Sequence, residues 1–219
     1  MDNNPEKEIR CAFYENLIRD KGLVELAKEF EEEERKDKEI KQQQEQGLEK
    51  DFIYVPSINL YVAKQKTHLG LNWNDTHKAL ADEDSRMLLI PEFLEFLKYS
   101  KTSFPDIYKE IAEVRTPWRS EWLDAYFKKE KDGLHILTGN KTKAEKIESC
   151  LMENSYADIL NPNKQGLPIQ KTNSGFYYWY PMDKCVAGFY ANSVGADLYC
   201  YGLPSNQDSW LGVRAVKKD

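Results

Sequence analysis

Cys185-Val186-Ala187-Gly188-Phe189-Tyr190-Ala191-Asn192-Ser193-Val194-Gly195-Ala196-Asp197-Leu198-Tyr199-Cys200-Tyr201 is the stretch on which the fold turns. It continues as Gly202-Leu203-Pro204-Ser205-Asn206-Gln207-Asp208-Ser209-Trp210-Leu211-Gly212-Val213-Arg214-Ala215-Val216. Side chains alternate faces along a strand. Phe189, Ala191, Leu198 and Cys200 therefore fall on one face of two strands, and Gly188, Tyr190, Asn192, Asp197, Tyr199 and Tyr201 on the other. The first face reads as core and the second as display. The second carries Tyr, Asn, Asp and Gly where an ordinary solvated sheet would carry Lys, Glu and Thr. Tyr gives rigid amphipathic contact area at low entropic cost, and Asn and Asp add adaptable hydrogen bonds, as in antibody paratopes. Alternation alone leaves two readings open, a binding surface and an aromatic sheet covered by the rest of the chain.

The residues Val186-Ala187-x-Phe189-x-Ala191-x-Ser193, Ala196-x-Leu198-x-Cys200, Pro204 and the closing Leu211-Gly212-Val213-Arg214 resemble the variable protein of a diversity-generating retroelement. The resemblance implies an α+β chain with the C-type lectin fold of the formylglycine-generating-enzyme subtype. It also implies that a reverse transcriptase copies a template repeat with errors at adenines, and that the copy replaces a C-terminal variable region, here about residues 175–216. Asn codons of the AAC kind then yield Tyr, Asp, Asn, Ser or Gly, and Arg codons of the AGG kind yield Gly or Trp. Tyr190, Asn192, Asp197, Tyr199, Tyr201, Asn206 and Asp208 are reachable from the first kind, and Gly188 and Trp210 from the second. These nine positions are the implied ligand-binding set, and the outward-facing and mutable sets coincide. Asn72-Trp73-Asn74-Asp75-Thr76-His77-Lys78-Ala79-Leu80 and Arg86-Met87-Leu88-Leu89-Ile90-Pro91-Glu92-Phe93 are similar to the paired-helix segment of the same fold. The resemblance spans roughly residues 52 to 216 and is greatest to forms found in archaea and small-genome bacteria.

At 219 residues, 41% hydrophobic and 31% charged, the chain is long enough for one domain with a sizeable core and an appendage. No run approaches the roughly 18 apolar residues of a membrane helix. Met1-Asp2-Asn3-Asn4-Pro5-Glu6-Lys7 lacks the basic-then-apolar layout of a signal peptide. No membrane insertion is expected, and the default compartment is the cytoplasm. Cys11, Cys150, Cys185 and Cys200 show no Cys-x-x-Cys pair and no zinc spacing, so reduced thiols are the default. Cys185 and Cys200 are placed to pair across adjacent strands, which spacing does not decide.

Residues 1–50 hold 10 Lys and Arg against 15 Asp and Glu, a net of −5, so the rest of the chain carries −1 of the total −6. The tail has no basic patch of the kind that neutralises phosphates, so no nucleic-acid partner is expected. The expected partner is a protein or a cell-surface ligand.

Residues 1–50 read as a charged helical extension and 51–219 as the lectin-like domain. From about residue 7, Ile9, Phe13, Leu17, Leu23, Leu26 and Phe30 make a narrow apolar stripe with a break near Gly22. Beyond it, Glu31 with Arg35, Glu32 with Lys36, Glu34 with Lys38 and Asp37 with Lys41 suit a solvated helix. The segment reads as a charged linker, with a self-associating arm or a dock for a partner as the alternative. The domain opens with two short strands in residues 52–63 around Pro56-Ser57. Helices are expected near 74–82, at 91–100 from Pro91, and at 105–111. Strands are expected at 134–137 and 176–180, completing a mixed, mostly antiparallel sheet with the alternating tail. Trp118, Trp122, Leu123, Tyr126 and Phe127 are expected in the core, because large aromatics dominate burial.

The sequence carries no Gly-x-Gly-x-x-Gly, no P-loop and no Gly-x-Ser-x-Gly elbow. His68 and His77 lack the spacing of two ligands on one helical turn, and His77 reads as a surface or packing residue. Asp82, Glu83 and Asp84 make a run typical of a helix end. Trp73-Asn74-Asp75 resembles the calcium element of sugar lectins but lies too early in the chain and has no Glu-Pro-Asn or Gln-Pro-Asp partner; one Asn-Asp pair does not supply six to eight oxygens. No metal and no cofactor are expected. Cys185 and Cys200 invite comparison with the two cysteines of formylglycine-generating enzyme, but the Gly-Gly-Ser-Trp segment is absent and Cys200 lies on the inward face, where a thiol is usually inert. The expectation is a non-enzymatic ligand-binding protein. The alternatives are a fixed interaction or assembly module and an oxidase of the formylglycine-generating kind. The nine positions should also contribute little to folding, so that replacing Tyr190, Tyr199 and Tyr201 together with Ala would leave Tm within a few degrees.

Overall fold

Pro56 and Ser57 lie in the turn of the hairpin that opens the domain. Strand β1 (Phe52–Val55) pairs antiparallel with β2 (Leu60–Ala63), Phe52 opposite Ala63. The last strand, β12 (Ala215–Lys218), lies antiparallel to both β2 and β3 (Arg86–Met87), giving a small sheet of order β1-β2-β12-β3. The two ends of the domain are thus held in one sheet. The structure, a computed structural model, describes residues 28, 35, 50–113 and 116–218. The chain divides into two units, Met1–Lys50 and Asp51–Asp219. In the first, Lys28, Arg35 and Lys50 are helical and exposed; the apolar stripe and charge ladder expected over residues 7–50 otherwise lie outside the described residues.

One helix links β2 to β3 within the small sheet, and two more lead from it to the large one. Helix α1 (Trp73–Ala81) is capped by Asn72, whose Oδ1 accepts the Asp75 N–H at 2.9 Å; this satisfies one of the donors a helix start leaves free. The Asp75 carboxylate in turn takes the Asn72 amide and Lys78, so the Trp-Asn-Asp element here makes a helix cap. Helix α2 (Ile90–Ser103) carries Pro91 in its first turn, where a missing N–H costs nothing. Glu92 accepts the Leu89 N–H and receives Arg86 at two 2.7 Å bonds. Helix α3 (Pro105–Ala112) begins on a second proline. His77 is buried on α1, its ring edge-on to Trp73 and its Nε2 3.4 Å from Asp124 Oδ1.

The large sheet runs β6 (Lys143–Lys146), β5 (Gly133–Thr138), β4 (Arg119–Glu130), β9 (Val186–Ala191), β10 (Ala196–Gly202), β8 (Tyr177–Trp179), β7 (Ser155–Tyr156), with β11 (Leu211–Gly212) beside β4. All its pairs are antiparallel except β8 with β10 and β11 with β4. The molecule is an α+β protein with a mixed, mostly antiparallel sheet.

Each face of that sheet has its own core. Phe189, Ala191, Leu198 and Cys200, all fully buried, pack with Leu123, Phe127 and the apolar faces of α2 and α3, and Phe93 meets Phe189 at 4.9 Å between ring centres. On the opposite face of β4 and β9, Trp122 and Val186 pack with Trp73 and Leu80 of α1 and with Leu211 and Val213. Both core indoles are satisfied: Trp73 donates to Leu123 O at 2.9 Å and Trp122 to Leu71 O at 3.0 Å. Trp118 departs from the expectation of burial, being 54% exposed. It precedes β4, outside the layer that the helices cover.

The closing Leu211-Gly212-Val213-Arg214 is a structural keystone. Gly212 runs so close to the chain before α1 that a Cβ there would lie 2.7 Å from Thr67 O and 2.8 Å from the Leu69 and Lys66 side chains. Arg214, fully buried, donates to Glu121 Oε2 at 3.2 Å, Glu110 Oε2 at 2.7 Å and the backbone carbonyls of Ala63 and Lys64. Arg119 closes the ring, reaching Glu110 Oε1 at 3.0 Å and Glu121 Oε1 at 2.9 Å. Burial alone would raise the Glu121 carboxyl, but the Arg119 and Arg214 guanidinia outweigh it and hold it below the usual carboxylate range. Such rings stand only when complete, since removing one member leaves a buried charge alone.

Candidate binding surface

The register of the large sheet decides what its outer face displays. Asp197 lies opposite Tyr190 on β9 and Tyr177 on β8, and Tyr199 lies opposite Gly188 and Trp179. Ser120 and Trp122 of β4 sit across from Tyr190 and Gly188. One end of this face, at Trp122, Gly188 and Val186, is closed by α1 and β11. At the other end no helix among the described residues covers it, and aromatic rings touch one another in series.

Tyr156 meets Tyr177 at 5.2 Å between centroids, Tyr177 meets Trp179 at 5.1 Å, and Trp179 meets both Tyr201 at 5.3 Å and Tyr199 at 5.8 Å. Tyr199 then meets Tyr201 at 4.5 Å and Tyr190 at 4.9 Å. These are tilted or edge-on contacts, the arrangements the ring quadrupole favours. Six rings on four strands form one platform, and the five other than Tyr156 are half-buried. Tyr199 has its phenol pushed up to about 12 by burial, by Tyr201 and by its hydrogen bond to Tyr201. Burial and then Tyr199 and Asp208 push Tyr190 higher still. The Tyr190 and Tyr199 phenols are therefore neutral donors at physiological pH. The Trp179 indole N–H is buried without an acceptor.

The nine expected positions divide. Tyr190, Tyr199 and Tyr201 come together in the platform. Asn192, half-buried at the β9 end, donates to Asp197 and accepts the Val194 and Gly195 N–H groups, which fixes the turn into β10. Asn206 and Asp208 hold each other in the loop before β11, at 2.8 Å and 3.2 Å. Trp210, 37% exposed, stacks edge-on against Trp118 at 6.3 Å.

Two positions expected outward are buried. Asp197 is 7% exposed, beneath Asn192. Gly188 is also buried, and a Cβ there would lie 2.9 Å from the Tyr190 ring and 3.1 Å from Glu121 O. Alternation places both on the outer face correctly, but that face is overlain at these points by the Tyr190 ring and the Asn192 turn. Sequence reasoning missed Tyr156, Tyr177, Trp179 and Trp118. Period-two reading of Phe176–Tyr180 would have turned Tyr177 and Trp179 to the side opposite Tyr178. The parallel pairing that sets them beside Tyr199 leaves no local signal.

The thiols take no part in this surface. Cys150, Cys185 and Cys200 are all free, so Cys185 and Cys200 do not pair. Burial and then Cys150 push the Cys200 thiol far up, and burial and then Asp183 raise Cys185; neither has the depressed value of a reactive thiolate. Among the described residues no three His, Cys, Asp or Glu side chains are grouped to hold a metal, and no helix is long and apolar enough to cross a membrane. Compared with known protein families, curated proteins and solved structures, the chain finds no match.

Proposed function

We propose that residues 51–219 form a non-catalytic binding module with the C-type lectin fold of the formylglycine-generating-enzyme subtype, and that its C-terminal sheet face is a ligand patch diversified by a retroelement. The observation that carries this reading is the separation of the two faces. Phe189, Ala191, Leu198 and Cys200 are fully buried, while the half-buried Tyr199 and Tyr201 rings emerge between them on a platform that no helix among the described residues covers. Aromatic side chains dominate interface hot spots, and a protein or cell-surface ligand of low curvature suits a platform better than a cleft. Gly188 and Asp197 leave the displayed set because they are buried. Tyr190, Asn192, Tyr199, Tyr201, Asn206, Asp208 and Trp210 remain, on a frame fixed by the Arg214 ring.

A displayed library tests the separation. Codons 192, 199, 201, 206, 208 and 210 are randomised in one pool and codons 189, 191, 198 and 200 in another. Both are sorted for protease resistance and then panned on an arbitrary immobilised protein such as lysozyme. Most of the first pool stays folded and yields binders, while the second unfolds. Equal loss of resistance in both pools contradicts the reading.

A further inference from the structure

Trp118 and Trp210 wall a second feature, a groove of about 500 Å³ that also takes in Leu69 and Pro117. Trp118 and Leu69 are each more than half exposed, so apolar surface is left in water around a concavity of small-molecule size. Lys66, Arg119 and Glu110 also line it.

The charges there do not balance. Three cations, Lys66, Arg119 and Arg214, stand against two carboxylates, Glu110 and Glu121. Both carboxylates are committed, since each places one oxygen on Arg119 and the other on Arg214. Lys66 is left with neutral acceptors, the backbone carbonyls of Ser120 and Trp210. An ammonium has three donors, and the third finds no acceptor among the described residues. Burial, and then Arg119, lower Lys66 to about 8, the response of a cation short of a counter-charge.

We propose that this groove binds a small organic monocarboxylate with a flat apolar body, the carboxylate on Lys66 and the body against the Trp118 and Trp210 indoles. One surplus positive charge matches a monoanion better than a phosphate dianion, and the exposed indoles supply contact area for a planar group. Lys66, Trp118 and Arg119 belong to none of the nine tail positions, so only Trp210 is shared with the proposed ligand patch. The site stands or falls separately from it.

The full chain is titrated with 3-phenylpropanoate and with its neutral amide by calorimetry. The acid binds saturably and about tenfold or more tighter than the amide, the effect of a charge-assisted hydrogen bond. Trp118→Ala weakens both, and Lys66→Gln removes the difference between them. Because Lys66 also ties two backbone carbonyls, the unaltered protein gives a second readout. Affinity for the acid falls as pH rises from about 7 to about 9.5, as Lys66 loses its charge beside Arg119, Arg214, Glu110 and Glu121. Absence of saturable binding up to about 10 mM, a range that still detects very weak sites, overturns the proposal. So does equal affinity for acid and amide, or a flat pH profile.

Discussion

The tyrosines of the outer face are not equivalent, and their phenols report it. Tyr199 is pushed up to about 12 and Tyr190 higher, burial being the first cause in each. Below about pH 10 these phenols are protonated in both folded and unfolded chains; above it the unfolded chain loses protons that the folded chain keeps. Their contribution to stability is therefore full below about pH 10 and is lost as pH rises through about 12. Tyrosinate absorbance at 295 nm should show a first group titrating near 10 and a lagging group that ionises only on alkaline unfolding; a single transition near 10 would contradict the burial. The same difference revises the expectation that Tyr190, Tyr199 and Tyr201 can be removed together at little cost. Tyr201→Ala should cost about 1 kcal/mol, its ring contacts, and Tyr190→Ala about 2 kcal/mol, because its half-buried ring also covers Gly188. Denaturant titration of the two single variants measures this, and equal costs would refute it.

At the scale of elements, helices α1, α2 and α3 were legible to within three residues at their ends, and Pro91 marks the start of α2 by chemistry that needs no tertiary partner. The hairpin of β1 and β2 was legible through its turn. Strand β4 was read only as aromatic core. Trp122 and Leu123 are both fully buried on opposite faces, so the alternation that marks a half-exposed strand is absent, as expected when both faces are covered. Half of the platform escaped notice for a related reason, since the partners of β8 are set by parallel pairing across 20 residues of sequence. The role of Arg214 is likewise non-local, its partners Glu110 and Glu121 lying 104 and 93 residues away. Arg214→Ala should lower stability by roughly 3–5 kcal/mol, because it takes from the fully buried Glu121 one of its two guanidinium partners. Arg214→Ala combined with Glu121→Gln should lose less than the sum of the single changes. Additive losses in that double-mutant cycle would separate the two residues energetically.

For the whole molecule, the account joins a rigid frame to a changeable surface. The small sheet ties the beginning of the domain to its end, the Arg214 ring fixes the last turn before β12, and the large sheet carries one core on its inner face and, on the outer, a second core beside the platform. On the proposed function, a chain organised this way should tolerate exchange of its displayed side chains while its backbone stays in place. The nine-position set was legible in the tail to the extent that alternation and exposure agree. They part at Gly188 and Asp197, where a neighbouring ring and turn cover the outer face. The most direct measurement is deep sequencing of the 3′ end of the gene across its source population, together with the adjacent DNA. The proposed function predicts variation concentrated in the codons of Tyr190, Asn192, Tyr199, Tyr201, Asn206, Asp208 and Trp210, constant codons for Phe189, Ala191, Leu198, Cys200, Gly212 and Arg214, and an invariant near-copy nearby with adenines at the variable sites. A uniform sequence with no near-copy, or variation spread evenly over both faces of the strands, would contradict it.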